Sequence, residues 1–257
     1  MPVLLLVRHG RTAANTGGVL AGRTPGVTLD ETGRAQVAAL AQRLAPLPLV
    51  RVVSSPLQRC QETAAALLAV AGPEGTPRPE LLTDDGLSEC DYGDWTGRPI
   101  AELLKEPLWG AVQAHPSSVV FPGGEPMRLM QQRALDVVRR VDAEVAAEHG
   151  PDAVWAAVSH GDVIKAVLAD ALGVHLDGFQ RIVVDPASVS VVRYTPLRPF
   201  AVRTNDTGGD VTSLLPPPPK PATTGEQAGG QDGEQDGDQP TVPSSDAVIG
   251  GGAGGGR

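Results

Sequence analysis

Leu4-Leu5-Leu6-Val7-Arg8-His9-Gly10-Arg11-Thr12 passes from apolar to polar in a single step. A strand buried on both faces of a parallel sheet reads as such a continuous apolar run. Open α/β sheets bind ligands just beyond the carboxyl ends of their strands. The stretch therefore places His9 at the mouth of a crevice, with Arg8 beside it. Gly10 lets the backbone turn sharply and approach a ligand closely. A strand ending at an ordinary polar turn gives the same Arg-His-Gly triplet, so the rest of the chain decides between the two.

A second apolar run ends the same way. Ala153-Val154-Trp155-Ala156-Ala157-Val158 gives way to Ser159-His160-Gly161-Asp162. If both runs lie near the centre of one parallel sheet, both histidines stand at one edge of it. Around them the elements alternate. Thr28-Leu29-Asp30-Glu31 resembles a capping box, with Thr28 as cap and Glu31 reaching back. The helix that follows runs to about Ala45, where Pro46 and Pro48 end it. Val50–Ser54 is a short strand, and Ser55-Pro56 opens a helix, since proline fits a first turn. Leu81–Thr83 reads as an edge strand. One helix is expected from Pro99 to about Val112, and a long amphipathic one over 125–148, with Met127, Met130, Ala134, Val137, Val141 and Val145 on one face. A helix from about Val163 to Leu172 and closing strands at Ile182–Val184, Val189–Tyr194 and Phe200–Arg203 complete the order.

Composition sets the limits. The 257 residues suffice for one large domain or two small ones. From Asn205 onward the chain is dominated by Gly, Pro, Asp, Gln, Ser and Thr, too poor in apolar side chains to offset its ordering entropy. Residues 205–257 are expected to be a disordered tail, and 1–204 the folded domain. The net charge of −9 divides accordingly. Asp206, Asp210, Glu226, Asp232, Glu234, Asp236, Asp238 and Asp246 against Lys220 and Arg257 give the tail −6, leaving −3 for the domain. A near-neutral domain without a basic stripe argues against nucleic acid as partner. No apolar stretch reaches the roughly 18 residues that span a bilayer, and Arg8 interrupts the first apolar run too early for a signal peptide. The expected setting is the cytoplasm. Two cysteines, Cys60 and Cys90, make neither a disulfide framework nor a metal spacing, and small buried filler is the better reading of both.

Two further residues belong beside the histidines. Arg59 lies one turn into the helix after Ser54-Ser55-Pro56-Leu57-Gln58, beyond the end of a strand. Glu89 lies in a glycine-punctuated loop, Leu87-Ser88-Glu89-Cys90-Asp91-Tyr92-Gly93-Asp94-Trp95-Thr96-Gly97. Phosphoryl transfer needs an in-line nucleophile, positive charge on the equatorial oxygens and an acid for the leaving oxygen. His9, the arginines and Glu89 are the right residue types. Taken singly, each has a blander reading: His160 as a core histidine, Arg59 as a surface charge, Asn15 as a turn residue, Gly22-Arg23 as surface loop rather than pocket rim.

Arg8-His9-Gly10-Arg11-Thr12 with Asn15, then Ser54-Ser55-Pro56-Leu57-Gln58-Arg59 with Thr63-Ala64, then Leu87-x-Glu89-x-x-x-Gly93-x-Trp95-x-Gly97, then Ser159-His160-Gly161, resembles the histidine phosphatase superfamily. This is the phosphoglycerate mutase-like family, in its phosphatase branch. The likeness spans about residues 1–195, with four motifs in order. It implies a three-layer α/β/α sandwich on a largely parallel sheet. It implies that His9 attacks phosphorus and is transiently phosphorylated. Arg8, Arg59 and His160 would bind the phosphoryl oxygens, and Asn15 would help hold the group. Glu89 would protonate the leaving alkoxide and then activate water. Gly10, Gly22 and Gly161 fall to substrate binding, and no metal or cofactor is implied. The expected substrate is a small phosphorylated metabolite, its specificity set by about 98–125, with Trp109, Phe121 and Pro122-Gly123-Gly124 as a lid. A phosphoglycerate-type mutase and a non-catalytic phospholigand-binding domain are the rival readings.

Overall fold

A six-stranded sheet organises the chain in the computed structural model, which describes residues 2–70, 72 and 75–209. Its strands are β1 (Val3–Arg8), β2 (Leu49–Ser54), β3 (Glu80–Thr83), β4 (Val154–Ser159), β5 (Val189–Tyr194) and β6 (Pro199–Asp206). Their order across the sheet is β3-β2-β4-β1-β5-β6. The first four run parallel, while β5 and β6 close one side antiparallel. The two strands that end in His-Gly are thus central neighbours. Their register pairs Val3 with Val154 and Arg8 with Ser159, so His9 and His160 each follow immediately at the same edge.

The apolar runs are continuous because both faces are covered. Leu4, Leu6, Trp155 and Ala157 feed one buried cluster; Leu5, Val7, Ala156 and Val158 feed the other. Alternation of side chains along a strand sends successive residues to opposite faces. On one side lie α2 (Glu31–Leu44) and α3 (Gln58–Ala69). On the other lie α6 (Met127–His149), α7 (Gly161–Ala171) and the segment between Leu87 and Phe121. The result is the expected three-layer sandwich on a largely parallel sheet. The inward face of α6 carries the six residues expected there from the spacing, all buried.

Several local expectations are corrected. Helix α2 is capped by Asp30, which accepts from the Gly33 amide at 2.7 Å, rather than by Thr28. A capping box does form, but at α1 (Ala13–Thr16), between Thr12 and Asn15. The helix expected from Pro99 to Val112 is two, α4 (Ile100–Leu103) and α5 (Trp109–Ala114). Pro107 explains the break, since it lacks an N–H and its ring clashes with the carbonyl four residues back. Helix α3 starts at Gln58, because Ser55 is held in the site described below. Ile182–Val184 is not a strand; the Val184 carbonyl accepts instead from Arg8, at 2.7 Å.

Strand β6 runs two residues past 204, the domain boundary expected from composition. Asn205 exchanges hydrogen bonds with Asp185, and Asp206 pairs with Arg43. The rest of the expected tail, 210–257, lies outside the described residues. No helix among those described is long and apolar enough to cross a membrane.

Glycine at position 10 is required by packing. A Cβ there would stand 2.6 Å from both the Gly33 carbonyl oxygen and Val37 Cγ2. The close approach expected of Gly10 is therefore made by helix α2, which docks against the end of β1.

Candidate active site

The register of β1 and β4 delivers two imidazoles to one place. The rings of His9 and His160 lie 5.2 Å apart at 61°, close to the spacing of adjacent strands. The Nδ1 of His9 lies 2.7 Å from the Gly10 carbonyl oxygen. A carbonyl only accepts, so Nδ1 carries the proton and Nε2 presents its lone pair. Arg59, one turn into α3, aims at that atom: its Nε donates to His9 Nε2 at 3.3 Å. Arg59 Nη2 donates to the Gly22 carbonyl at 2.8 Å. Its Nη1 is buried with no hydrogen-bond partner among the described residues.

Local chemistry holds these groups in place. The Gly10 amide donates to Thr63 Oγ1, and that hydroxyl donates to the Arg59 carbonyl, tying α3 to the end of β1. His160 Nε2 lies 2.8 Å from Ser55 Oγ, and the Leu57 amide donates to the same hydroxyl. His160 also caps α7, with extended backbone, and Gly161 opens that helix. Gly22 has φ +49°, and a Cβ there would stand 2.9 Å from Thr96 Oγ1. Its visible task is to orient Arg59 through its carbonyl. Asn15 Oδ1 accepts from the backbone and the hydroxyl of Thr12, at 3.0 and 2.9 Å, which fixes the amide's orientation.

All five principal residues (Arg8, His9, Arg59, Glu89 and His160) are buried, and burial decides their protonation. His9 is held well below the usual histidine range by desolvation, then by Arg59 and Arg8, against the Gly10 hydrogen bond. His160 is lowered for the same first reason, with Arg59, His9 and Arg8 adding to it. Arg8 is brought down to about 10 by burial, with Glu89, Asp185 and Asp162 opposing, and so remains a cation at neutral pH. Glu89 moves the other way, up to about 7. Desolvation is the main cause and the Asp162 carboxylate the next, while the Cys90 amide, Arg59 and Arg8 oppose. Asp162 accepts from the Tyr92 hydroxyl at 2.7 Å and lies 3.7 Å from the Lys165 ammonium. The site thus combines two neutral imidazoles, two guanidinium groups and a carboxyl that holds its proton near neutrality.

Cys60 approaches His160 Nε2 at 3.4 Å, yet burial pushes its thiol up to about 12. Cys90 is likewise raised by burial and lies 3.8 Å from the Met127 sulfur. Both are protonated filler at neutral pH. Among the described residues no three His, Cys, Asp or Glu side chains gather where they would hold a metal ion.

Within the lid expected at 98–125, Trp109, Phe121 and the Pro122-Gly123-Gly124 turn are not placed as lid residues. Trp109 and Phe121 are buried in the main cluster, with Trp95 stacked on Trp109 at 6.1 Å and edge-on to Phe121 at 5.4 Å. The Pro122-Gly123-Gly124 turn is pinned to the 91–94 loop, where the Asp94 amide donates to the Pro122 carbonyl at 2.8 Å. These residues support the Glu89 loop from behind.

Sequence reasoning missed Arg133 and Glu125 and left Arg23 undecided. Arg133 donates to the carbonyls of Gly86, Ser88 and Glu89, and pairs with Glu125. One signal was present. Arg133 falls at the apolar spacing of α6, three residues after Met130 and four before Val137. A charge on an inward face must find partners.

Known proteins resemble this chain in sequence and in fold. The chain is 35% identical over 216 residues to a bifunctional protein of Mycobacterium tuberculosis, covering 80% of this chain and 54% of that one. It thus spans about half the length of that relative. It is 32% identical over 213 residues to phosphoserine phosphatase 1 of Hydrogenobacter thermophilus, covering 80% of this chain and 93% of the other. Among solved structures, a mycobacterial glucosyl-3-phosphoglycerate phosphatase in complex with VO3 superposes with a TM-score of 0.68 at 26% identity, covering 79% of this chain and 98% of that one. YhfR of Bacillus stearothermophilus gives 0.70, also at 26% identity, over 80% and 98%. The family model for branch 1 of the histidine phosphatases matches residues 4–207, and the chain belongs to the histidine phosphatase superfamily.

Proposed function

We propose that this chain hydrolyses small phosphomonoesters through a phosphohistidine formed on His9, with Glu89 as general acid and then general base. The observation that carries the reading is the orientation of His9, whose Nδ1 proton is committed to the Gly10 carbonyl while Nε2 faces the Arg59 guanidinium. A neutral imidazole with one lone pair directed at a cationic pocket is what in-line attack on phosphorus requires.

The first step forms the Nε2–P bond of His9 and breaks the P–O bond to the leaving alcohol. Arg59 exchanges its contact with His9 for the equatorial oxygens, and its Nη1 gains an acceptor. Arg8 and His160 share that charge, which spreads as the bond to the leaving group lengthens. Glu89 gives its proton to the leaving alkoxide. In the second step the Glu89 carboxylate takes a proton from water as the oxygen attacks phosphorus. The N–P bond breaks, inorganic phosphate leaves, and both residues return to their starting states. Asn15 assists in holding the phosphoryl group, and Gly10, Gly22 and Gly161 act through the backbone that shapes the pocket. No metal or cofactor takes part in this scheme.

The test is a panel of phosphomonoesters with phosphate release measured directly. Stoichiometric release of inorganic phosphate is expected. Transfer to a second hydroxyl without release would mark a mutase, and binding without turnover a phospholigand-binding domain. We further propose that the catalytic unit ends by Gly209. A chain truncated there is expected to keep kcat/KM within about twofold of the full chain, and a larger loss would show that the remainder serves the site.

A further inference from the structure

We propose that Arg133 is a positioning residue for the general acid, acting with Arg23 and Glu125 through the Glu89–Cys90 peptide. The proposal rests on the acid role given to Glu89 above. Arg133 reaches from α6 to three acceptors of the loop: Nη1 donates to the Gly86 and Ser88 carbonyls at 2.7 Å each, and Nη2 to the Glu89 carbonyl at 3.1 Å. Arg23 Nε donates to that same Glu89 oxygen at 2.9 Å. Glu125 joins the two cations. Its Oε1 accepts from Arg133 at 2.6 Å and from Arg23 at 3.0 Å, its Oε2 accepts from Arg133 Nε at 3.1 Å, and its Oε1 also accepts from the Asp91 amide at 2.9 Å.

The geometry makes this more than loop anchoring. A peptide group is planar, so fixing its carbonyl fixes its N–H on the opposite side. The N–H of the Glu89–Cys90 peptide belongs to Cys90, and it donates to Glu89 Oε1 at 2.9 Å. Two guanidinium groups therefore set the plane whose other end holds the acid's own carboxyl oxygen. Charge-assisted donors are the strong kind, and Arg133 presents a rigid fork that an ammonium does not copy. Releasing the carbonyl lets the peptide rotate, and the carboxyl loses the orientation that proton transfer needs.

The experiment compares Arg133→Met and Arg133→Lys in the full chain, alone and combined with Glu89→Gln. Substrates are an alkyl phosphate, which needs an acid for its leaving group, and p-nitrophenyl phosphate, which needs little help. Arg133→Met is expected to lower kcat/KM for the alkyl ester about 100-fold, at the lower end of what general acid catalysis contributes. The aryl ester should lose about threefold or less, and inhibition by inorganic phosphate should stay unchanged. Arg133→Lys should recover little. In the Glu89→Gln background the Arg133 change should add almost nothing, because the group it positions is gone. Equal losses on both substrates, or full additivity with Glu89→Gln, would overturn the proposal while leaving the acid in place. If Glu89→Gln itself shows no difference between the substrates, the acid assignment falls and the positioning role with it. Should Arg133→Met fail to fold, Glu125→Gln reads the same clamp, since it loosens both guanidinium groups, and the same comparisons apply.

Discussion

Replacing His9 by alanine is expected to abolish turnover, with kcat/KM falling by about 10^4-fold or more, the scale on which loss of a covalent nucleophile registers. The expected loss is large because neither nucleophile beside His9 among the described residues is poised to take over. His160 stands 5.2 Å away, but its Nε2 is engaged by Ser55. Cys60 is adjacent, yet its thiol is raised to about 12 by burial and carries almost no thiolate at neutral pH. Binding should survive the change better than chemistry. Arg59 keeps its anchor on the Gly22 carbonyl, and Arg8 keeps Val184. Inorganic phosphate is expected to inhibit binding of a fluorescent phosphate ester to His9→Ala nearly as well as to the parent chain. Near-normal turnover in His9→Ala would remove His9 as nucleophile.

Replacing Glu89 by glutamine separates substrates by leaving group. Alkyl phosphates are expected to slow by about 10^2- to 10^4-fold, the range of general acid catalysis, and p-nitrophenyl phosphate far less. The same residue sets the pH dependence. Burial, then Asp162, holds the Glu89 carboxyl up at about 7, and only its protonated form donates. For an alkyl phosphate, kcat/KM should therefore be highest below about pH 7 and fall roughly tenfold per unit above it. His9 contributes no limb near neutrality, because desolvation and the two arginines hold it well below the usual range. The acid limb belongs to the substrate's own second ionisation, at about 6. In Glu89→Gln the alkaline limb should vanish with the group that causes it. An unchanged limb would assign it to another residue, and equal slowing of both ester types would count against an acid role.

What the sequence made legible was whatever rests on strand ends. A continuous apolar run closed by His-Gly implies a central buried strand, and two such runs imply one shared edge. The pairing of Arg8 with Ser159 realises that inference. Arg59 was legible because it follows a strand end by a short turn. Contacts built from long side chains reaching backbone carbonyls were not legible. Arg133 meets a loop more than forty residues earlier in the chain, and no local periodicity encodes such a partner. Trp109 and Phe121 misled for a related reason: aromatic residues near a glycine turn suit a lid and a core equally, and only the stack on Trp95 decides. The helix break at Pro107 was readable from proline chemistry alone, and the preference for Asp30 over Thr28 as cap was readable too, since aspartate outranks threonine there.

The proposed covalent intermediate offers the most direct measurement. Mixing the full chain with a 32P-labelled phosphomonoester, quenching in alkaline detergent within the first turnover and mapping the peptides should place one phosphoryl group on the peptide containing His9. The label should be stable to alkali, labile to acid and absent from His9→Ala. Release of phosphate with no label on the protein, or label on any other residue, would contradict the account.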